Sequence, residues 1–131
     1  MRDDEIQKKV NVVMDSQIYH RGYVSPVDVL MDLGILEKKS YLDWRNGRVP
    51  YLEKVCHMNL SKLSKVMHAI RHHAYEHHLR NSYTVYKKYG KGNQKLRFSR
   101  YGRAEVEKNY ATHYISSERI QELKEKKHHE Q

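Results

Sequence analysis

The chain has little of what usually announces a function. A single cysteine, Cys56, excludes an internal disulfide and a cysteine-based zinc site, and makes a reducing cytoplasm the expected compartment. Aromatics without a hydroxyl are scarce: one Phe and one Trp stand against eleven Tyr, so most of the aromatic surface carries a hydroxyl. No run approaches the roughly 18 apolar residues of a membrane span. The opening Met1-Arg2-Asp3-Asp4-Glu5 is acidic and no apolar stretch follows it, so no secretory signal is expected. There is no P-loop and no carboxylate dyad, and outside one histidine motif treated below no nucleophile–base pair. The expectation is therefore a protein that is not an enzyme and takes no cofactor. Internal repeats, low-complexity tracts and linkers are lacking too. The 131 residues read as one compact domain over 1–115, followed by a solvated helical tail over 116–131.

What is present in excess is positive charge, and it is unevenly placed. Twenty-five Lys and Arg against sixteen Asp and Glu give a net charge of +9. Residues 1–36 carry 4 bases and 6 acids, residues 37–81 carry 9 and 4, and residues 104–131 carry 5 and 6. Residues 82–103 carry 7 bases and no acid. Such a block repels itself unless an anion relieves it, which points to a polyanionic partner.

Hydrophobic periodicity predicts a mostly helical α+β domain of five to six helices with one two-stranded antiparallel hairpin. Helical spacing covers residues 1–80. Ile6, Val10, Val13, Met14 and Gln17 share one face of a first helix that Gly22 stops. Ser25-Pro26-Val27-Asp28 starts a short second helix that ends at Gly34. A third helix, from about Glu37 to Arg45, buries Tyr41, Leu42 or Trp44 and closes on Asn46-Gly47. A fourth follows Pro50, from Tyr51 to Cys56. Asn59 then caps the longest helix, Leu60 to about Leu79, whose apolar stripe is Leu60, Leu63, Val66, Met67, Ile70 and Ala74. After Asn81 the period falls to 2. Tyr83, Val85, Leu96 and Phe98 read as the inner face of a hairpin over 83–100, with Gly90-Lys91-Gly92-Asn93 as its loop. A short helix over 103–110 completes the domain, and Ser117 caps the tail.

The order short helix, three-residue turn, long helix, basic hairpin is that of a helix-turn-helix with a wing. In that arrangement the N-terminal part of the second helix reaches base edges, here Ser61, Lys62 and Lys65. The hairpin lays Lys87, Lys88, Lys91, Lys95, Arg97 and Arg100 along phosphates, with the Tyr86 phenol on the exposed face. Non-catalytic binding of nucleic acid, DNA ahead of RNA, is the expected function. A homodimer would double the site. The alternative is an interaction module, such as an accessory or inhibitor protein, whose hairpin docks an acidic protein partner. No membrane partner is expected.

Ten His are many for this length, and His68, His72, His73, His77 and His78 crowd one helix. His68/His72 and His73/His77 are i, i+4 pairs that could each hold a metal. A zinc site needs a third protein ligand, which the sequence does not reveal, so no metal is expected. Arg71-His72-x4-His77 resembles the motif of metal-independent ribonucleases of the HEPN class, which are all-helical dimers. That resemblance implies His77 as general base and Arg71 as stabiliser of the phosphorane-like charge.

The stretch Tyr41-Leu42-Asp43-Trp44-Arg45-Asn46-Gly47-Arg48-Val49-Pro50-Tyr51-Leu52-Glu53 resembles a segment of an uncharacterised group of short basic bacterial proteins. The likeness extends to Asn59-Leu60-Ser61-Lys62-Leu63, Leu96-Arg97-Phe98-Ser99 and Ala111-Thr112-His113-Tyr114, about residues 22–115, and leaves out His68–His78. It implies a bacterial, cytoplasmic origin and a single folded unit, with no activity to carry over. Read on its own, this segment packs Trp44 in the core and leaves Arg45 and Arg48 to stack on Trp44 or Tyr51 or to reach a phosphate.

Overall fold

The computed structural model describes residues 1–129; Glu130 and Gln131, the end of the expected tail, lie outside the described residues. The domain is α+β and mostly helical. Helix α1 spans Asp3–Arg21, with Asp3, Asp4 and Glu5 at the positive end of its dipole. Gly22 ends it in the left-handed region (φ 82°), and its N–H donates to the Ile18 carbonyl at 2.8 Å. Strand β1 is Tyr23–Val24, and α2, Pro26–Asp32, starts on the Ser25 cap with Pro26 in its first turn. Helix α3 spans Lys38–Arg45 and α4 spans Leu60–Glu76, capped by the Asn59 side chain, which accepts from Lys62 N at 2.9 Å. Strand β2 is Arg80–Tyr83, α5 is Ala104–Ala111, β3 is Thr112–Ile115 and α6 is Ser117–His129.

The three strands form one antiparallel sheet in the order β1-β3-β2, pairing Tyr23 with Ile115 and Arg80 with the same Ile115. Sequence periodicity does not reveal this sheet, because two to four residues are too few to show an alternation. The expected hairpin over 83–100 is present in looser form. Lys87 bridges Lys95, Leu96 N donates to the Tyr86 carbonyl at 2.8 Å, and Lys88 N donates to Gln94 O at 2.9 Å. Its inner face differs from the expected one: Tyr83 and Val85 are exposed, and Tyr86 is buried with Leu96 and Phe98. The cause is that Tyr83 belongs to the sheet. Thr84 N then donates to Ala111 O at 3.0 Å, and the chain leaves the sheet before the hairpin begins.

The helix expected over Tyr51–Cys56 is a single 3-10 turn, Leu52–Val55. The N–H groups of Leu52 and Glu53 are taken by the Arg97 and Phe98 carbonyls at 3.2 and 2.9 Å, so the segment lies along the outgoing hairpin arm. The first member of the expected helix pair is therefore part of the hairpin's support.

The core runs from α1 through α4 to the hairpin. Ile6, Val10 and Met14 of α1 share this core with Leu63, Val66, Ile70 and Ala74 of α4, and Leu60 is left at the surface. Trp44 is fully buried, its Nε1 donating to the Arg97 carbonyl at 2.8 Å, and it meets Tyr86 and Phe98; Phe98 in turn stacks on Tyr110. The start of α6 is docked: Ser116 N donates to Gly22 O at 2.8 Å, and Arg119 Nε donates to Tyr19 O at 3.0 Å. Ser116 supplies the cap expected of Ser117, accepting from Arg119 N. No helix among the described residues is long and apolar enough to cross a membrane.

Candidate nucleic-acid interface

The hairpin is seated on the turn that follows α3. Tyr89 N donates to Arg45 O at 2.7 Å, and Lys88 lies over Gly47, where an added Cβ would come within 2.9 Å of Lys88 Cε. A cavity of about 420 Å³ opens between the two, lined by Arg48, Pro50, Lys95 and Arg97. Arg97 covers the Tyr51 ring at 5.2 Å and donates to the Arg100 carbonyl. Lys87, Lys91, Lys95, Arg97 and Arg100 are exposed, and Lys88 is half-buried along its stem.

The loop behind this face is fixed by two carboxylates. Glu107 of α5 accepts from Phe98 N, Ser99 N and Ser99 Oγ at 2.9, 2.7 and 2.6 Å. Glu53 accepts from Arg100 N at 2.8 Å and from the Tyr110 hydroxyl at 2.7 Å, and burial beside Glu53 pushes the Tyr110 phenol far up. These bonds fix the backbone of the basic segment without neutralising its side chains. Among the described residues, no base between 82 and 103 forms an ion pair with an acid. Arg103 lines a separate cavity of about 310 Å³ with Arg71, Ser64 and Tyr101.

Tyr86 departs from its expected role as an exposed phenol. It is 7% exposed, and its hydroxyl is held by Ser25 Oγ and His113 Nε2, both at 3.0 Å. Burial pushes the Tyr86 phenol above its usual range, disfavouring the phenolate, and burial holds His113 below the usual imidazole range. Arg45 stacks on Tyr86 and Tyr89 (5.1 and 4.2 Å) rather than on Trp44 or Tyr51. Arg48 pairs with Asp43 at 3.4 Å.

The residues expected on the long helix are drawn elsewhere. Ser61 is exposed, Lys62 Nζ donates to the Met1 carbonyl, and Lys65 is ion-paired with Asp3. These contacts turn both lysines toward the start of α1. Burial and the nearby Glu53 push the Cys56 thiol up to about 12, which disfavours its thiolate at neutral pH.

The histidines separate into distinct environments. His68 lines a shallow groove with Ser61, Ser64 and Lys65, and His72 meets Glu76 at 3.8 Å. Arg71, one of the pair in the ribonuclease-like motif, lines two cavities, one with Tyr101 and one with Tyr114, and its partner in the motif, His77, lines neither of these. His77 lies against the His73 ring instead, centroids 4.2 Å apart, and His73 Nε2 meets Asp15 Oδ1 of α1 at 2.7 Å. Asp15 is thus the third ligand-type side chain that the sequence leaves hidden, because helix pairing cannot be read from spacing within one helix. Compared with protein-family models, with curated proteins and with solved structures, the chain matches none.

Proposed function

We propose that the protein binds nucleic acid, duplex DNA ahead of RNA, through the basic hairpin, as a non-catalytic module. The observation that carries this reading is the set of seven bases between 82 and 103 without an acidic partner, on a backbone fixed by Glu53 and Glu107. Lys87 and Lys95 sit opposite each other across the hairpin, a like-charge pair that destabilises the free protein. A phosphate backbone relieves that repulsion, and counterion release then supplies the affinity. Arg48, Lys95 and Arg97 around one cavity form the centre of the contact, with Lys87, Lys91 and Arg100 at its edge. The reading does not require a helix-turn-helix. Lys62 and Lys65 contribute only if the anion displaces the Met1 carbonyl and Asp3.

Fluorescence anisotropy of labelled duplex DNA, single-stranded DNA and duplex RNA tests it. Five or six phosphate contacts give a log–log salt slope of about −5 on duplex DNA at roughly 0.9 per contact. The double substitution Lys95→Ala with Arg97→Ala is expected to flatten that slope by about 2 and weaken all duplex sequences alike. Failure to bind any of the three at about 50 mM salt overturns the reading and favours an acidic protein partner. RNA cleavage in EDTA that is lost in His77→Ala overturns it in favour of a ribonuclease.

A further inference from the structure

Three side chains from two helices converge where α1 crosses α4. His73 lies in the last turn of α4, His77 is the residue that caps its C-terminal end, and Asp15 approaches from α1. One ligand-type atom from each lies within 4.8 Å of the other two. We propose that Asp15, His73 and His77 form a binding site for a divalent transition metal, zinc foremost.

The donor set is the first argument. Two imidazoles and one carboxylate, with no thiolate, make a three-ligand set that zinc accepts with water in the fourth position. Placement is the second. His73 is 7% exposed and locked by helix packing, so one ligand is pre-positioned, while Asp15 and His77 are exposed and free to adjust. The adjustment needed is small. Tetrahedral ligands about 2.0–2.1 Å from zinc are about 3.3 Å apart, so the Asp15 carboxylate must retreat a little from its 2.7 Å contact with His73. The metal then takes the place of the proton that His73 Nε2 donates to Asp15, and that proton moves to Nδ1 or to solvent. Third, the other histidine–carboxylate pairs among the described residues stop at two members: His72 with Glu76, and His57 with Glu37. Among the described residues this is the one group of three.

Such a site joins α1 to α4 by coordination, so metal stabilises the fold by mass action as well as being bound. It lies on different residues from the basic hairpin and does not depend on nucleic-acid binding. The test uses the full chain stripped with EDTA and titrated with Zn²⁺ against a chromophoric chelator, with Co²⁺ as spectroscopic probe. The expected result is one Zn²⁺ per chain, affinity reduced at least about tenfold by His77→Ala and by Asp15→Asn, and no change in His72→Ala. Both sensitive positions are exposed, so these variants keep the core. Visible d–d bands of four-coordinate Co²⁺ and a zinc-dependent rise in Tm, both lost in Asp15→Asn, complete the expectation. Absence of stoichiometric binding overturns the proposal. So does binding that survives His77→Ala and falls in His72→Ala.

Discussion

His113 shows how one side chain reports on its surroundings. It stacks beside Tyr23, accepts or donates at the Tyr86 hydroxyl, and lies half-buried on β3. Burial is the main cause of its lowered ionisation, partly opposed by Asp28 and reinforced by Arg21. A histidine whose folded value lies below its unfolded value binds its proton more tightly in the unfolded chain. Its neutral form therefore supports the fold at neutral pH, and that support is lost as pH falls through the ordinary imidazole range near about 6.5. Urea denaturation of the wild type and His113→Asn is expected to give a flatter acid limb in the variant between about pH 7 and 5. Superimposable profiles would remove His113 from the account. Trp44 was legible in the sequence as core, whereas Tyr86 was not. Its position in an alternating run places it outside, and only the early exit of the chain from the sheet turns it inward.

At the scale of elements, helices were legible and short strands were not. The N-terminal acids, Ser25-Pro26, Asn59 and Gly22 mark their boundaries by local chemistry, and those boundaries stand to within a residue or two. The segment 51–56 failed as a helix because its amides find hairpin carbonyls, a tertiary choice that helical spacing cannot show. The tail was only half legible. Its composition reads as solvated, yet Ile120 and Arg119 anchor its first turns on α1. Gly22 holds this junction: at φ 82° an alanine is strained by about 1–2 kcal/mol, and its Cβ would stand 2.4 Å from Ile120 Cγ1. Gly22→Ala is thus expected to lower the unfolding free energy by at least that amount and to release α6, read as faster amide exchange over 116–123. Protection unchanged in that segment would show that the junction yields elsewhere.

For the whole molecule, the charge distribution was the most legible property, and it survives folding almost intact. The acids that could have offset the hairpin are used on backbone amides, as with Glu53 and Glu107, or on bases elsewhere, as with Asp3 on Lys65. Screening should therefore stabilise the free protein. Raising NaCl from about 50 to 500 mM is expected to raise Tm, and Lys95→Gln to reduce that rise. A Tm that falls with salt would mean that ion pairs such as Arg21–Asp28 at 2.8 Å outweigh the repulsion. The sheet has a different consequence, for synthesis. Its middle strand is β3, which receives β1 on one edge and β2 on the other, so Tyr23 has no partner until Ile115 exists. On a ribosome adding roughly 5–20 residues per second, α1 and α4 can pair while both outer strands still wait several seconds for the centre. During that interval the nascent chain carries two unpaired edges and an uncovered Gly22. Completion of the fold is therefore tied to the emergence of β3 rather than to that of the long helices.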